Sequence, residues 1–271
     1  MQDIEHWNRT QSLRVAESAG GVLATLDPLA NVVRAGTRPW PPPELVQKLY
    51  ASDRWRGKTD EDDRVVRDCL GHYCDLQSLN SEDAITWSFF GPLIYGPNAW
   101  REQFASHLFQ ALGLSTSSLV ALWLWRRIPH PEKPASTGGP EIDFGIHCER
   151  ALVLGEAKWN SQIGSGQGVA GNRTQLDLRV AYCTGLGLKA LPSIERWVVL
   201  GVGRATDVLD RELTTEAMVR NLSWMDLVAF MPSELRAELS QYVAWKEKYS
   251  SKRPNKRLQP SAAGVTMGRR G

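Results

Sequence analysis

The stretch Glu141–Lys158, EIDFGIHCERALVLGEAK, contains two runs typical of β-strands, separated by a Glu-Arg pair at 149–150. If that pair forms a two-residue turn, cross-strand partners have residue numbers that sum to 299, and Asp143 lies opposite Glu156. Lys158 follows two residues later, and alternate residues of a strand share a face. The stretch therefore predicts a hairpin that carries two carboxylates and a lysine on one side.

The other side of this hairpin is expected to face a hydrophobic core, because its side chains are apolar: Ile142, Phe144, Ile146, Val153 and Ala157. An alternative is that the charged residues only form a salt-bridged, exposed face, since such ion pairs are common and contribute little to stability. An acid-x-Lys tripeptide cannot by itself distinguish these two interpretations, because 30 acids (Asp or Glu) and nine lysines predict about one such tripeptide by chance. The pairing of its glutamate with Asp143 is what favours a functional site.

The paired carboxylates point to a divalent cation. Two carboxylates a few ångströms apart repel each other unless a cation lies between them, and hard oxygen ligands suit Mg²⁺ or Mn²⁺. A lysine beside them can orient or deprotonate an attacking water, or stabilise negative charge on a phosphoryl group. These residue types thus favour metal-assisted phosphodiester hydrolysis, with Asp143 and Glu156 as metal ligands and Lys158 at the water.

The hairpin lies within an alternation of helices and strands, which predicts an α/β domain. Ser81 is placed to cap a helix, and Gly91-Pro92 is expected to weaken that helix. Further elements are predicted at 98–112 (helix), 119–126 (strand), 173–186 (helix), 196–202 (strand), 222–230 (short strand) and 233–249 (helix capped by Ser233). Residues 129–140 and 160–172 are rich in Gly, Pro or polar residues, as is typical of loops.

In this order of elements, and in Asp143 followed by Glu156-Ala157-Lys158, residues 81–202 resemble the PD-(D/E)xK nucleases of the restriction-endonuclease-like fold. The resemblance implies an α/β core with a central mixed β-sheet flanked by helices. It also implies that Asp143 and Glu156 hold the metal, that the backbone carbonyl of Ala157 adds a ligand, and that Lys158 assists the water. Ile142 stands where the motif has proline.

The resemblance implies two further site residues. Many members carry an acid on the first core helix, for which Glu82 is the better candidate and Asp83 the second. Some carry a glutamine on the helix after the lysine strand, here Gln175, with an aromatic residue four positions later, where this chain has Arg179. For Glu82 the alternative is a helix-start charge, and for Gln175 it is a solvated helix residue.

The implied function is an Mg²⁺- or Mn²⁺-dependent nuclease, expected to be a DNA endonuclease, and a homodimer is compatible with double-strand cleavage. One alternative keeps the fold without catalysis, as a nucleic-acid-binding or interaction module. Another is a nucleotide-dependent enzyme that uses Gly166–Gly171, GQGVAG, although this GxGxxG match does not directly follow a buried strand. Cys69, His72 and Cys74 have a spacing conceivable for zinc, but a buried Cys pair with a hydrogen-bonded His is preferred.

The charges divide the chain unequally. Six of the 32 basic residues lie in the last twenty residues, which contain no acid, so the remainder has 26 basic and 30 acidic groups. A uniformly cationic nucleic-acid-binding surface is therefore excluded for the folded part. Residues 251–271 are expected to be a basic, disordered tail, 81–250 the nuclease-like core, and 1–80 a mostly helical extension.

The sequence also predicts the compartment. The longest uncharged apolar run, Leu119 to Trp125, is far shorter than the ~20 residues of a membrane span, so no membrane association is expected. The first ten residues do not resemble a signal peptide. Four scattered cysteines are expected to remain reduced thiols, and a cytoplasmic location is the default expectation.

Overall fold

Two β-sheets organise the residues that the structure describes. This computed structural model describes residues 1–17, 21–50, 74–115, 118–135, 138–161, 167–168, 171–209 and 217–250. The smaller sheet contains β1 (Gln2–Glu5), β2 (Ser12–Glu17) and β3 (Leu23–Thr25), and the larger contains β4 (Leu119–Arg127), β5 (Glu141–Cys148), β6 (Ala151–Ala157), β7 (Arg196–Gly203) and β8 (Ala217–Ser223).

The larger sheet is mixed, with the strand order β4-β5-β6-β7-β8. β5 pairs antiparallel with both β4 and β6, whereas β7 pairs in parallel with both β6 and β8. The connection from β6 to β7 contains a helix, Gln175–Tyr182, because parallel neighbouring strands require a crossover connection. The expected α/β fold with a mixed sheet is confirmed at this level.

The hairpin of β5 and β6 has the predicted register. Phe144 pairs with Gly155 and Ile146 with Val153, and a two-residue turn joins the strands. β6 lies in the centre of the sheet and every one of its residues is buried. The alternative of an exposed charged face is therefore wrong at Glu156, which is only 1% exposed, whereas Asp143 and Lys158 are half-buried.

Helices cover the sheet and connect its strands. They are α1 (Pro43–Tyr50), α2 (Glu82–Tyr95), α3 (Asn98–Ala111), α4 (Gln175–Tyr182), α5 (Trp224–Phe230) and α6 (Ser233–Tyr249). A π-helical turn, Cys183–Gly187, continues α4 into the short segment Leu188–Ala190, and 3₁₀ turns occupy Pro28–Asn31 and Asp75–Gln77. The helices predicted at 98–112 and 173–186 and the strands predicted at 119–126 and 196–202 are confirmed.

α2 begins as predicted but does not weaken where expected. The Ser81 hydroxyl accepts a hydrogen bond from the Ala84 N–H at 3.0 Å, which confirms the cap. The helix then continues through Gly91-Pro92 to its end at Tyr95. Its residues 84–93 are all buried, and this packing outweighs the hydrogen bond that proline cannot donate.

The C-terminal elements differ from the prediction in position. The strand predicted at 222–230 is wrong, because β8 ends at Ser223 and α5 occupies the rest. Ser223 and Asp226 form a reciprocal capping box, in which each side chain accepts the other residue's backbone N–H, and this box starts the helix. Pro232, and not Ser233, holds the cap position of α6.

The expectation of a mostly helical extension in residues 1–80 is wrong for the part of it that is described. β1, β2 and β3 form an antiparallel sheet, and the regular α-helix of this part is α1, which starts at Pro43 as predicted. In β2, Leu13 and Val15 are buried while their neighbours Ser12 and Arg14 are exposed, which is a strand pattern. Residues 51–73 and 251–271 lie outside the described residues.

Both faces of the large sheet are covered by apolar packing. On one face, Phe144 and Val198 belong to a hydrophobic cluster that extends through α2 and α6 to Ile4 and Val15 of the small sheet. On the other face, buried residues of β6, β7 and α4 form a second cluster: Leu152, Leu154, Trp197, Val199, Leu176 and Tyr182. None of the helices in the described ranges combines the length and apolar character that a membrane-spanning segment needs.

Candidate active site

A cavity of about 470 Å³ opens at the edge of the large sheet where β6 ends and β5 begins. Its walls come from the β4–β5 loop and from the segment between β6 and α4, and its lining comprises Arg127, His130, Gly138, Gly139, Pro140, Glu141, Asp143, Glu156, Lys158, Gln167, Gly168, Gln175 and Leu178. The carboxyl ends of parallel strands commonly hold ligands in open α/β sheets. Four of the predicted side chains, those of Asp143, Glu156, Lys158 and Gln175, line this cavity.

Glu156 is the centre of a buried ion cluster. Its Oε1 lies 2.7 Å from Nζ of Lys158, and its Oε2 contacts the guanidinium of Arg179. Both Glu156 and Arg179 are 1% exposed, so water does not neutralise either charge. Removing one member of such a buried cluster typically costs about 3–5 kcal/mol, because a charge is left unpaired.

Asp143 faces this cluster from the start of β5. Its Oδ2 accepts a hydrogen bond from the backbone N–H of Ala157 at 2.7 Å, so the side chain joins β5 to the last residue of β6. Burial, and next the carboxylate of Glu156, raise the pKa of Asp143 well above its usual range, although Lys158 and Arg179 oppose the rise. Ionisation of Asp143 is therefore unfavourable in this buried position, and a bound cation would favour its charged form.

Lys158 is held by both its backbone and its side chain. Its N–H donates to the Val202 carbonyl at 2.8 Å, and its own carbonyl accepts from the Trp224 indole N–H at 3.0 Å. Burial lowers the pKa of its amine, but the carboxylates of Glu156, Glu82 and Asp143 raise it by more, so the pKa lies above the ordinary value. Lys158 therefore remains an ammonium at neutral pH and acts as a donor and a fixed charge, not as a base.

Glu82 connects the first core helix to the end of β6. Its Oε1 accepts hydrogen bonds from the Trp159 N–H at 3.0 Å and from the Ser161 hydroxyl at 2.6 Å, while its Oε2 lies 3.3 Å from Nζ of Lys158. These contacts go beyond those of a helix-start charge. Asp83 instead pairs with Lys48 of α1 at 3.1 Å, so of the two acids it is Glu82 that joins the site.

The residues present fit a magnesium or manganese ion that is held by few protein ligands. Among the described residues, no group of three or more His, Cys, Asp or Glu side chains is arranged to hold a metal. Mg²⁺, however, usually keeps several waters and takes one or two carboxylates together with substrate phosphates. Asp143 and Glu156 match that mode, and the backbone of Ala157 lies beside Asp143, to which its N–H donates a hydrogen bond.

Arg179 is the site residue that the sequence reasoning missed. The PD-(D/E)xK pattern has an aromatic residue at this position, so the resemblance assigns no role to an arginine there. The available signal was helical spacing, because residues four apart share one face of a helix and Gln175 was already assigned to the site. Gln175 is the first residue of α4, and its carbonyl accepts a hydrogen bond from Arg179 Nη1 at 3.1 Å.

The other motifs gain no support. Of Gly166–Gly171, Gln167 and Gly168 line the cavity, while residues 166, 169 and 170 lie outside the described residues. Cys69 and His72 also lie outside them, and Cys74 is a buried thiol whose pKa is raised to about 11 by burial. The nucleotide-binding and zinc readings remain untested.

Comparison of the chain with protein-family models, with curated proteins and with solved structures finds no match in any of the three.

Proposed function

We propose that the protein is a magnesium-dependent phosphodiesterase of the restriction-endonuclease-like fold, acting as an endonuclease on DNA. The observation that carries the proposal is the convergence of Asp143, Glu156 and Lys158 in one polar cavity at the edge of a mixed sheet. The predicted hairpin register supports it further, because the pairing of Phe144 with Gly155 places the half-buried Asp143 next to the buried Glu156.

Different residues of the site would bind the metal, stabilise the developing charge and orient the lysine. Asp143 and Glu156, with the carbonyl of Ala157, would hold the metal, which when bound polarises the phosphodiester and lowers the pKa of the water it carries. Lys158, held as an ammonium by the surrounding carboxylates, donates to the attacking water or to a phosphoryl oxygen and stabilises the charge that develops there. Glu82 orients Lys158 through its 3.3 Å ion pair.

The decisive variant is Asp143→Asn. Its amide oxygen can still accept the Ala157 N–H, but it lacks the charge that a metal needs. We expect the variant to cleave supercoiled plasmid DNA in Mg²⁺ at least about a hundredfold more slowly than the wild-type chain, which corresponds to a barrier higher by about 2.7 kcal/mol. Cleavage by the wild-type chain should stop when a chelator removes Mg²⁺. Because burial and Glu156 disfavour the ionised aspartate, the variant should unfold at an equal or higher temperature at pH 7.

The matched control is Glu149→Gln, which removes an exposed carboxylate from the turn of the same hairpin. It should cleave at the wild-type rate. Cleavage that survives the chelator, or full activity in a folded Asp143→Asn protein, would contradict the proposed mechanism.

A second candidate is a nucleic-acid-binding module without turnover. It is favoured by the ion pairs of Glu156, whose two oxygens already contact Lys158 and Arg179, because the cluster neutralises part of its own charge. This alternative predicts retention of DNA in a mobility-shift assay with no product and no calorimetric signal on titration with Mg²⁺ or Mn²⁺. The same plasmid assay separates the two candidates.

A further inference from the structure

Arg179 is a buried cation that the proposed hydrolysis does not use directly. Its side chain is 1% exposed, and its guanidinium contacts Oε2 of Glu156. Arginine keeps its charge in proteins, so this cation cannot be removed by loss of a proton. The proposed site thus holds two fixed cations, one on each oxygen of Glu156.

The backbone holds the guanidinium in this place. Nη2 donates to the carbonyl of Glu141, the first residue of β5, at 2.8 Å, and Nη1 donates to the carbonyl of Gln175 at 3.1 Å. Since Glu141 and Gln175 both line the cavity, Arg179 fastens the start of α4 to the start of β5 behind it. A side chain anchored to two elements does not swing away when a ligand arrives.

This arrangement limits the ligands that are open to metal. Oε2 of Glu156 contacts Arg179 and its Oε1 contacts Lys158, while Oδ2 of Asp143 accepts the Ala157 N–H, so each acid has only part of its lone pairs left for metal. Two divalent ions about 4 Å apart need carboxylates that bridge them and others that complete each shell. In the described ranges no third acid joins such a cluster, and a second ion beside a guanidinium would be repelled.

We propose that Arg179 takes the place of a second metal: it positions Glu156 and restricts the site to one divalent ion. This inference rests on the proposed function, since it concerns how the same site binds metal. Arg179 acts through Glu156 and is therefore a positioning residue. Its removal frees an oxygen of Glu156 and removes a repelling charge, so metal should bind more tightly.

The test is a titration of the full chain with Mn²⁺, without DNA, followed by calorimetry and by the electron paramagnetic resonance signal of free Mn²⁺. The wild-type chain should bind one ion. Arg179→Gln should bind the first ion at least about tenfold more tightly, and a second, weaker ion should become detectable. Arg179→Lys, which keeps the charge, should bind one ion with the affinity of the wild type, as should the exposed control Arg150→Gln.

A merely structural role predicts the opposite sign, because a disordered Glu156 would bind metal more weakly. Two ions in the wild-type chain, or unchanged or weaker binding in folded Arg179→Gln, overturn this inference and leave the proposed function standing. No Mn²⁺ bound to the wild-type chain overturns the proposed function, and this inference with it. If near-ultraviolet circular dichroism shows that Arg179→Gln does not fold, the wild-type and Arg179→Lys stoichiometries decide: one ion in each supports the inference and two overturn it.

Discussion

Lys246 of α6 is a titratable residue whose side chain has no exposed surface. Its Nζ donates to the Ser81 carbonyl at 3.3 Å and lies 5.6 Å from the centre of the Trp159 ring. Burial lowers the pKa of this amine to about 7, although Glu82 opposes the shift. A neutral or half-charged lysine thus lies directly behind the residues that orient Lys158, where it adds little repulsion.

The stability of the protein should depend on Lys246 above neutral pH. An unfolded lysine titrates near 10.5 and the folded one near 7, so between these values the unfolded chain binds more protons. Its contribution to the free energy of unfolding therefore rises from pH 7 to pH 10, and below pH 7 the cost of burying the charge is fully present. Lys246→Met should raise the melting temperature at pH 6 by several degrees and remove this rise.

Urea denaturation at pH 6 to 10 measures the difference between the variant and the wild-type chain. Buried thiols such as Cys183, whose pKa burial raises to about 12, affect both proteins alike and cancel in that difference. Lys248→Met, two residues along the same helix and on its exposed side, is the matched control and should follow the wild-type curve. A wild-type curve parallel to that of Lys246→Met would rule out the shifted lysine.

At the level of elements, the β5–β6 hairpin depends on a glycine opposite an aromatic ring. Gly155 pairs with Phe144, whose ring lies across it and stacks on Phe90 of α2 with centroids 4.1 Å apart. A Cβ added at Gly155 would lie 2.2 Å from the Phe144 ring. The glycine therefore allows α2 to approach the sheet beside Glu156.

Gly155→Ala should destabilise the protein by about 1–3 kcal/mol or more, because the ring can move only into Phe90. The measurement is the free energy of unfolding from urea denaturation at constant pH. Gly185→Ala is the control, since a Cβ there meets nothing within 4 Å and alanine favours helix. A decrease of less than about 0.5 kcal/mol in the free energy of unfolding of Gly155→Ala would show that the Phe144 ring can adopt another rotamer without a clash.

The sequence predicted those elements of the site whose structure depends on neighbouring residues along the chain. A two-residue turn and a period of two were enough to pair Asp143 with Glu156. The burial of that acidic face was not predictable, because it is α4, about twenty residues further on, that covers it and supplies Arg179. The β-strand of Leu13 and Val15 lies in the part expected to be mostly helical, although its alternation of apolar and polar residues is readable in the sequence.

Across the whole molecule, the described residues that precede α1 pack against α6 through Glu5, Trp7 and Asn31. The Tyr242 hydroxyl donates to the Asn31 carbonyl at 2.8 Å, and the Trp245 indole donates to the Glu5 carbonyl at 2.7 Å. The ring of Trp7 lies 4.9 Å from that of Tyr242, centroid to centroid. The buried side chains of the small sheet therefore share one hydrophobic cluster with the core.

A second link joins this part of the chain to the cavity. Lys48 of α1 lies 3.1 Å from Asp83 of α2 and 3.3 Å from Glu141 of β5, and its amine lies 4.6 Å from the centre of the Trp125 ring. Because Glu141 lines the cavity, α1 supports the wall of the candidate site. α1 therefore contributes to the surroundings of the site through the charge and packing of Lys48.

We accordingly expect the chain of residues 81–250 not to fold by itself. Without residues 1–80, Tyr242 and Trp245 lose their apolar cover, a loss of several kcal/mol against a typical stability of about 5–15 kcal/mol, and the half-buried Asp83 loses its ion pair with Lys48. The full chain should show one calorimetric transition, and the fragment should show none, with a flat near-ultraviolet circular dichroism spectrum. Removal of residues 252–271 is the control and should keep the transition, since the sequence predicts a basic tail there. A fragment 81–250 that unfolds cooperatively and binds Mn²⁺ would instead establish residues 1–80 as a separate domain.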